Sequence, residues 1–110
     1  MKTRDINQKK IETAALDALY EAILLLKNKT EMKQFFEDLC TPAERESLAD
    51  RWRVVPAIMA GLSYRSIAQD TGVSVTTIGR VARSLMSGQG GYQLIYERTL
   101  QNLPHSPLER

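Results

Sequence analysis

The stretch Ser63-Tyr64-Arg65-Ser66-Ile67-Ala68-Gln69-Asp70-Thr71-Gly72-Val73-Ser74-Val75-Thr76-Thr77-Ile78-Gly79-Arg80-Val81 has the spacing of two short helices joined by a tight turn. Ala68 is small where such helices cross, so their backbones can approach closely. Gly72 stands four residues on, where a helix stop calls for a left-handed conformation that glycine adopts without strain. Ser74 follows, its hydroxyl suited to accept an orphan backbone N–H at the start of the second helix. Ile67, Ile78 and Val81 supply an apolar seam that locks the pair against a third element. This is the pattern of a helix-turn-helix, expected over about residues 63–85. Such a unit lays the start of its second helix in the major groove of duplex DNA. The candidate DNA contacts are therefore Tyr64 and Arg65 in the first helix, Ser74, Val75, Thr76 and Gly79 along the start of the second, and Arg80 and Arg83 beyond.

Upstream, Thr41-Pro42-Ala43-Glu44 is a strong helix start. Threonine can cap, proline occupies the first helical position where its missing N–H costs nothing, and Glu44 completes a capping box. That helix is expected to run through Leu48, Trp52, Val55 and Met59 to Gly61, with Pro56 inside it at a cost of about 3 kcal/mol unless packing compensates. Nearer the N-terminus, Ile11, Ala15, Leu19, Ile23 and Leu26 recur at helical spacing, and Leu16, Tyr20 and Leu24 widen the stripe. Lys27-Asn28-Lys29 breaks this first helix, and Thr30 is expected to start a short second one carrying Met32, Phe35, Phe36 and Leu39. Downstream, Ser87-Gly88-Gln89-Gly90-Gly91 reads as a flexible break, followed by a last helix with Tyr92, Ile95, Tyr96, Thr99, Leu100 and Leu103. Pro104 stops it, and 104–110 reads as a disordered tail. The expectation is an all-α protein of about six helices in a single domain over 1–103.

The net charge of +2 conceals an asymmetry. From Arg51 to Leu85 five arginines stand against Asp70 alone, a net of +4, while the other ten basic and twelve acidic residues leave −2 elsewhere. Positive charge gathered on a helix-turn-helix is the footprint of a phosphate-binding face. Cys40 is the only cysteine, which rules out an intrachain disulfide or a cysteine-based zinc site. His105, the only histidine, sits in the proline-bracketed tail and reads as a solvated residue. The run Ile23-Leu24-Leu25-Leu26 is too short to cross a bilayer, no leader is evident, and a cytoplasmic protein with no membrane partner is expected. No nucleophile–base pair, paired catalytic carboxylates or phosphate-cradling loop stands out, so the chain does not read as an enzyme.

A chain of 110 residues has a thin core, yet its first and last helices both carry wide apolar faces. Burial between two copies is therefore expected. A two-fold homodimer would also present two second helices to half-sites about one turn of DNA apart, on a pseudo-palindromic operator.

The segment Thr41-Pro42-Ala43-Glu44-Arg45-Glu46-Ser47-Leu48, then Arg51 and Gly61, then Thr77-Ile78-Gly79-Arg80-Val81-Ala82-Arg83-Ser84-Leu85, resembles the tryptophan-repressor superfamily from about Leu16 to Leu103. LuxR-type response regulators share a similar Thr-Pro start and a Gly-Leu-Ser before their motif. Here, however, twelve residues separate Leu48 from Gly61, adding about two to three helical turns. The resemblance implies an intertwined homodimer that represses by occluding a promoter, with Arg65 reaching guanine. It also implies L-tryptophan as a candidate corepressor, its indole between Arg51 and Arg80, its backbone groups near Thr41 and Thr77, and its ring N–H received by Ser84. Other readings of these residues stay open: capping accounts for Thr41, pairing with Glu44 or Glu46 for Arg51, and phosphate alone for Arg80. Two departures bear on the ligand. Val81 stands where the tryptophan repressor has glycine and should fill the floor of an indole pocket, and the Gly61-Leu62-Ser63 connection is one residue shorter. Val81 with Arg83-Ser84-Leu85 is similar to the YerC/YecD branch of the superfamily. The alternatives are a helix-turn-helix regulator with no small-molecule ligand, or a protein-interaction module built on the same fold.

Overall fold

The computed structural model describes residues 6–102, which form six helices and, among the described residues, no strand. In chain order these are α1 (Ile6–Leu24), α2 (Lys29–Leu39), α3 (Pro42–Met59), α4 (Tyr64–Thr71), α5 (Val75–Ser87) and α6 (Gly91–Gln101). The expectations for Leu103, the proline stop, the tail and His105 lie outside the described residues. The chain divides into two compact units, Met1–Pro42 and Ala43–Arg110.

In the first unit α1 ends at Leu24, and Leu25 and Leu26 fold back through backbone bonds to the Ala22 and Ile23 carbonyls. The start of α2 differs from expectation. Asn28, not a residue near Thr30, is the cap: its side-chain oxygen accepts the Glu31 N–H at 2.9 Å, and the Glu31 carboxylate accepts the Lys27 N–H at 2.9 Å. Asparagine at the cap with glutamate three residues on resembles a capping box, but the Glu31 carboxylate accepts the N–H of Lys27, one residue before the cap, rather than that of Asn28. Phe35 and Phe36 meet edge to face, their centroids 6.0 Å apart. Neither helix of this unit contains a fully buried residue. Along α1, Leu19 and Ile23 are half-buried, whereas Leu16, Tyr20 and Leu24, at i, i+4 and i+8, are exposed.

The second unit holds the core: Val54, Val55, Ile67, Val73, Ile78, Val81 and Ala82. The seam read from the motif is real, with Ile67, Ile78 and Val81 each at 1 % exposure or less. Helix α3 begins at proline, as the start signal requires, and runs through Pro56 to Met59. Pro56 itself is exposed, and it follows directly on the fully buried Val54 and Val55, whose packing holds the helix where a ladder hydrogen bond is missing. Tyr92 and Tyr96, one turn apart on α6, pack against this core, leaving Leu94, Ile95 and Leu100 exposed. The glycine-rich break separates α5 from α6, as its composition leads one to expect. Gly88 caps α5 with its N–H on the Ser84 carbonyl at 2.8 Å, and a Cβ there would collide with that same carbonyl; Gly90 has φ +84°.

Candidate nucleic-acid interface

The α4–α5 pair is built by the residues that the motif nominated. Ser63 caps α4, accepting the Ser66 N–H at 3.1 Å. Gly72 ends it at φ +77°, its N–H donating to the Ala68 carbonyl at 2.9 Å. Thr71 reinforces the turn from both sides: its hydroxyl donates to the Ile67 carbonyl at 2.7 Å and accepts the Val73 N–H at 3.1 Å. That bond helps to seat Val73 in the core. Ser74 then caps α5 by accepting the Thr77 N–H at 3.1 Å, while its hydroxyl donates to Thr77 Oγ1, also at 3.1 Å. Three residues thus separate the helices, and each junction is held by a capping bond.

The inward row Ile78, Val81, Ala82 and Leu85 sets how α5 is rotated about its axis. The outward row follows from it. Val75, at 55 % exposure, and Thr76 stand on the first turn, Gly79 one turn on, and Arg80 and Arg83 beyond. Tyr64, the first residue of α4, lays its ring beside Gly79, so that a Cβ there would lie 3.9 Å from Cε2. Arg65, Arg80 and Arg83 are all exposed, and none of the three forms an ion pair with a described residue. Their donors are therefore available for phosphate or base oxygens. Among the described residues no group of three or more potential metal-ligating side chains occurs.

The family model for Trp repressor protein matches residues 14–100. The chain belongs to the Trp repressor family. It is 40 % identical over 89 residues to the uncharacterized protein YerC of Bacillus subtilis strain 168, a match spanning 81 % of this chain and 86 % of YerC. A TrpR-like protein from Eubacterium eligens superposes with a TM-score of 0.77 at 42 % identity, covering 88 % of this chain and 99 % of that one. A crystal structure of a candidate Trp repressor from Staphylococcus aureus superposes at 0.76 with 44 % identity, covering 86 % and 95 %. The Trp repressor match spans both units, since it begins in α1 and ends in α6.

Of the residues that the family resemblance offers as ligand contacts, Arg80 and Ser84 share one shallow depression of about 240 Å³, which Arg83, Ser87 and Gly88 also line. Ser87 and Gly88 are not among the sequence candidates, although the i, i+3, i+4 and i+7 spacing of Arg80, Arg83, Ser84 and Ser87 puts those four on one face. Arg51 is half-buried on α3 and does not line this depression. Thr77 is half-buried, its hydroxyl taken by the Ser74 cap. Thr41 lies in the first unit, just before α3. Val81 is at 1 % exposure among Val54, Val55 and Ile78, so its side chain fills core space that a glycine would leave empty.

Proposed function

We propose that this protein is a DNA-binding transcription regulator, a helix-turn-helix repressor that occludes a promoter as an intertwined homodimer. The observation that carries the reading is the outward face of α5. A capped helix start presents Val75 and Thr76, with Gly79, Arg80 and Arg83 behind them, and Arg65 extends the exposed positive charge from α4. Membership of the Trp repressor family supports the same reading. The start of α5 would enter the major groove, with Arg80 and Arg83 on phosphates and Arg65 on a guanine edge.

The homodimer is supported by α1 and α2, neither of which buries a residue fully in one copy. The exposed row Leu16, Tyr20 and Leu24 on α1, and separately Leu94, Ile95 and Leu100 on α6, are apolar faces that a second copy would cover. On this reading residues 1–103 make one domain, completed only by its partner, and its two heads meet a pseudo-palindromic operator in the cytoplasm. No described helix is long and apolar enough to cross a membrane.

Regulation without an amino-acid corepressor is the reading that Val81 favours, because the core claims its side chain. A deciding experiment selects bound duplexes from a random library and measures affinity for the winners, with and without millimolar L-tryptophan. Tight, salt-sensitive binding unaffected by tryptophan is expected. Absence of binding to any duplex at low salt would refute the DNA-binding role, and tightening by tryptophan would restore the corepressor.

A further inference from the structure

The first turn of α5 divides its side chains by task. Ser74 and Thr77 are bonded to each other, the Ser74 hydroxyl accepting the Thr77 N–H and donating to Thr77 Oγ1, each at 3.1 Å, so the cap engages both hydroxyls. Ile78 is fully buried in the core. Val75 and Thr76 are the two helical side chains of this turn that stay exposed. Thr76 carries a hydroxyl, which both donates and accepts and therefore suits several base edges. Val75 is different in kind. Two residues earlier Val73 is packed into the core, whereas Val75 stands at 55 % exposure and belongs neither to the core nor to the apolar residues packed against it. Its outward direction is fixed, because the buried Ile78, Val81 and Ala82 set the rotation of a helix whose start is capped.

We propose that Val75 reads the C5-methyl of a thymine in the major groove, which makes it a specificity-determining residue. The inference rests on the DNA-binding reading above and adds the base that the start of α5 selects. An isopropyl group neither donates nor accepts a hydrogen bond. It gains where it covers an apolar feature of a base edge and loses where it strips water from an unpaired donor or acceptor. Among the four bases only thymine offers a methyl on the major-groove edge.

The test compares the full chain with Val75→Ala on a duplex selected by the unaltered protein, on a scrambled duplex, and on versions with each thymine of one half-site replaced in turn by deoxyuridine, which lacks only the methyl. Burying one methyl corresponds to about a fourfold change in affinity, which the unaltered protein should lose at one of these thymines. Val75→Ala should bind the selected duplex more weakly, yet lose less than about twofold at that same uracil, because both changes remove one shared contact. It should bind scrambled DNA as the unaltered protein does. Its melting temperature and sedimentation, at equal protein concentration, should stay as they are. A uracil effect that persists in full in the variant, equal weakening on selected and scrambled duplexes, or no thymine sensitive to the exchange would overturn the proposal. A lower melting temperature or altered sedimentation would do the same, by giving Val75 to the fold or to the dimer. Failure of the unaltered protein to bind any duplex would instead remove the reading beneath it.

Discussion

Arg83→Gln tests the electrostatic half of the interface with a number attached. Arg80 and Arg83 are the exposed α5 arginines assigned to phosphate, giving about four phosphate contacts in a two-fold dimer. Each contact releases condensed counterions, so log affinity should fall with log salt at a slope of roughly −3.6. Between 50 and 200 mM salt that amounts to a loss of about 150-fold. Removing Arg83 from both protomers halves the contacts, giving a slope of about −1.8 and a loss of about twelvefold over the same range. The Arg83 side chain is exposed and is not part of the core; beyond the helix ladder, its backbone carbonyl accepts the Ser87 hydroxyl at 3.2 Å. Stability should therefore hold while binding changes. Fluorescence anisotropy of a labelled duplex, titrated at several potassium chloride concentrations, reads the slope directly. An unchanged slope would show that Arg83 does not meet phosphate, and a changed slope with a lost thermal transition would show that the side chain is structural.

Ile78→Ala removes a fully buried side chain from the centre of the core and should cost about 2–4 kcal/mol, read from urea unfolding at fixed protein concentration. A cost under about 0.5 kcal/mol would contradict that burial. Ser74→Ala deletes the cap of α5 and should destabilise by about 1 kcal/mol. Because the cap also fixes the helix start against the turn, DNA affinity should fall more than stability alone explains; equal affinity would separate the two roles. Gly72→Ala places a Cβ at φ +77° and should cost about 1–2 kcal/mol by the same unfolding assay; no loss of stability would contradict the left-handed stop. Leu16→Glu with Leu24→Glu puts charge on the exposed row of α1, and sedimentation should then detect monomer or unfolded chain; a persistent dimer would place the interface elsewhere.

Much of the candidate interface was legible because it is local. Helix starts and stops are short-range chemistry: Gly72 and Ser74 satisfy orphan backbone groups within three or four residues and their residue types announce it, whereas the Ser63 cap of α4 is added by the structure. The helix count and the seam of Ile67, Ile78 and Val81 follow from period alone. The second helix begins at Lys29 because Asn28 caps it and Glu31 accepts the Lys27 N–H, a spacing present in the letters beside the more obvious Thr30. The glycine run marks the break between α5 and α6, but only coordinates show that a Cβ at Gly88 would meet the Ser84 carbonyl.

By itself, then, the sequence determined which segments are helical, where they are capped, and which arginines could face a nucleic acid. Only tertiary packing decided how each helix is turned. A wide apolar face does not say which of its rows is buried; in α1 the structure half-buries Leu19 and Ile23 and exposes Leu16, Tyr20 and Leu24. Packing likewise brought the Tyr64 ring beside Gly79 across the turn. The physical reason is range: capping is settled within one turn of chain, but burial depends on which distant surface arrives, and close packing leaves room for only one answer.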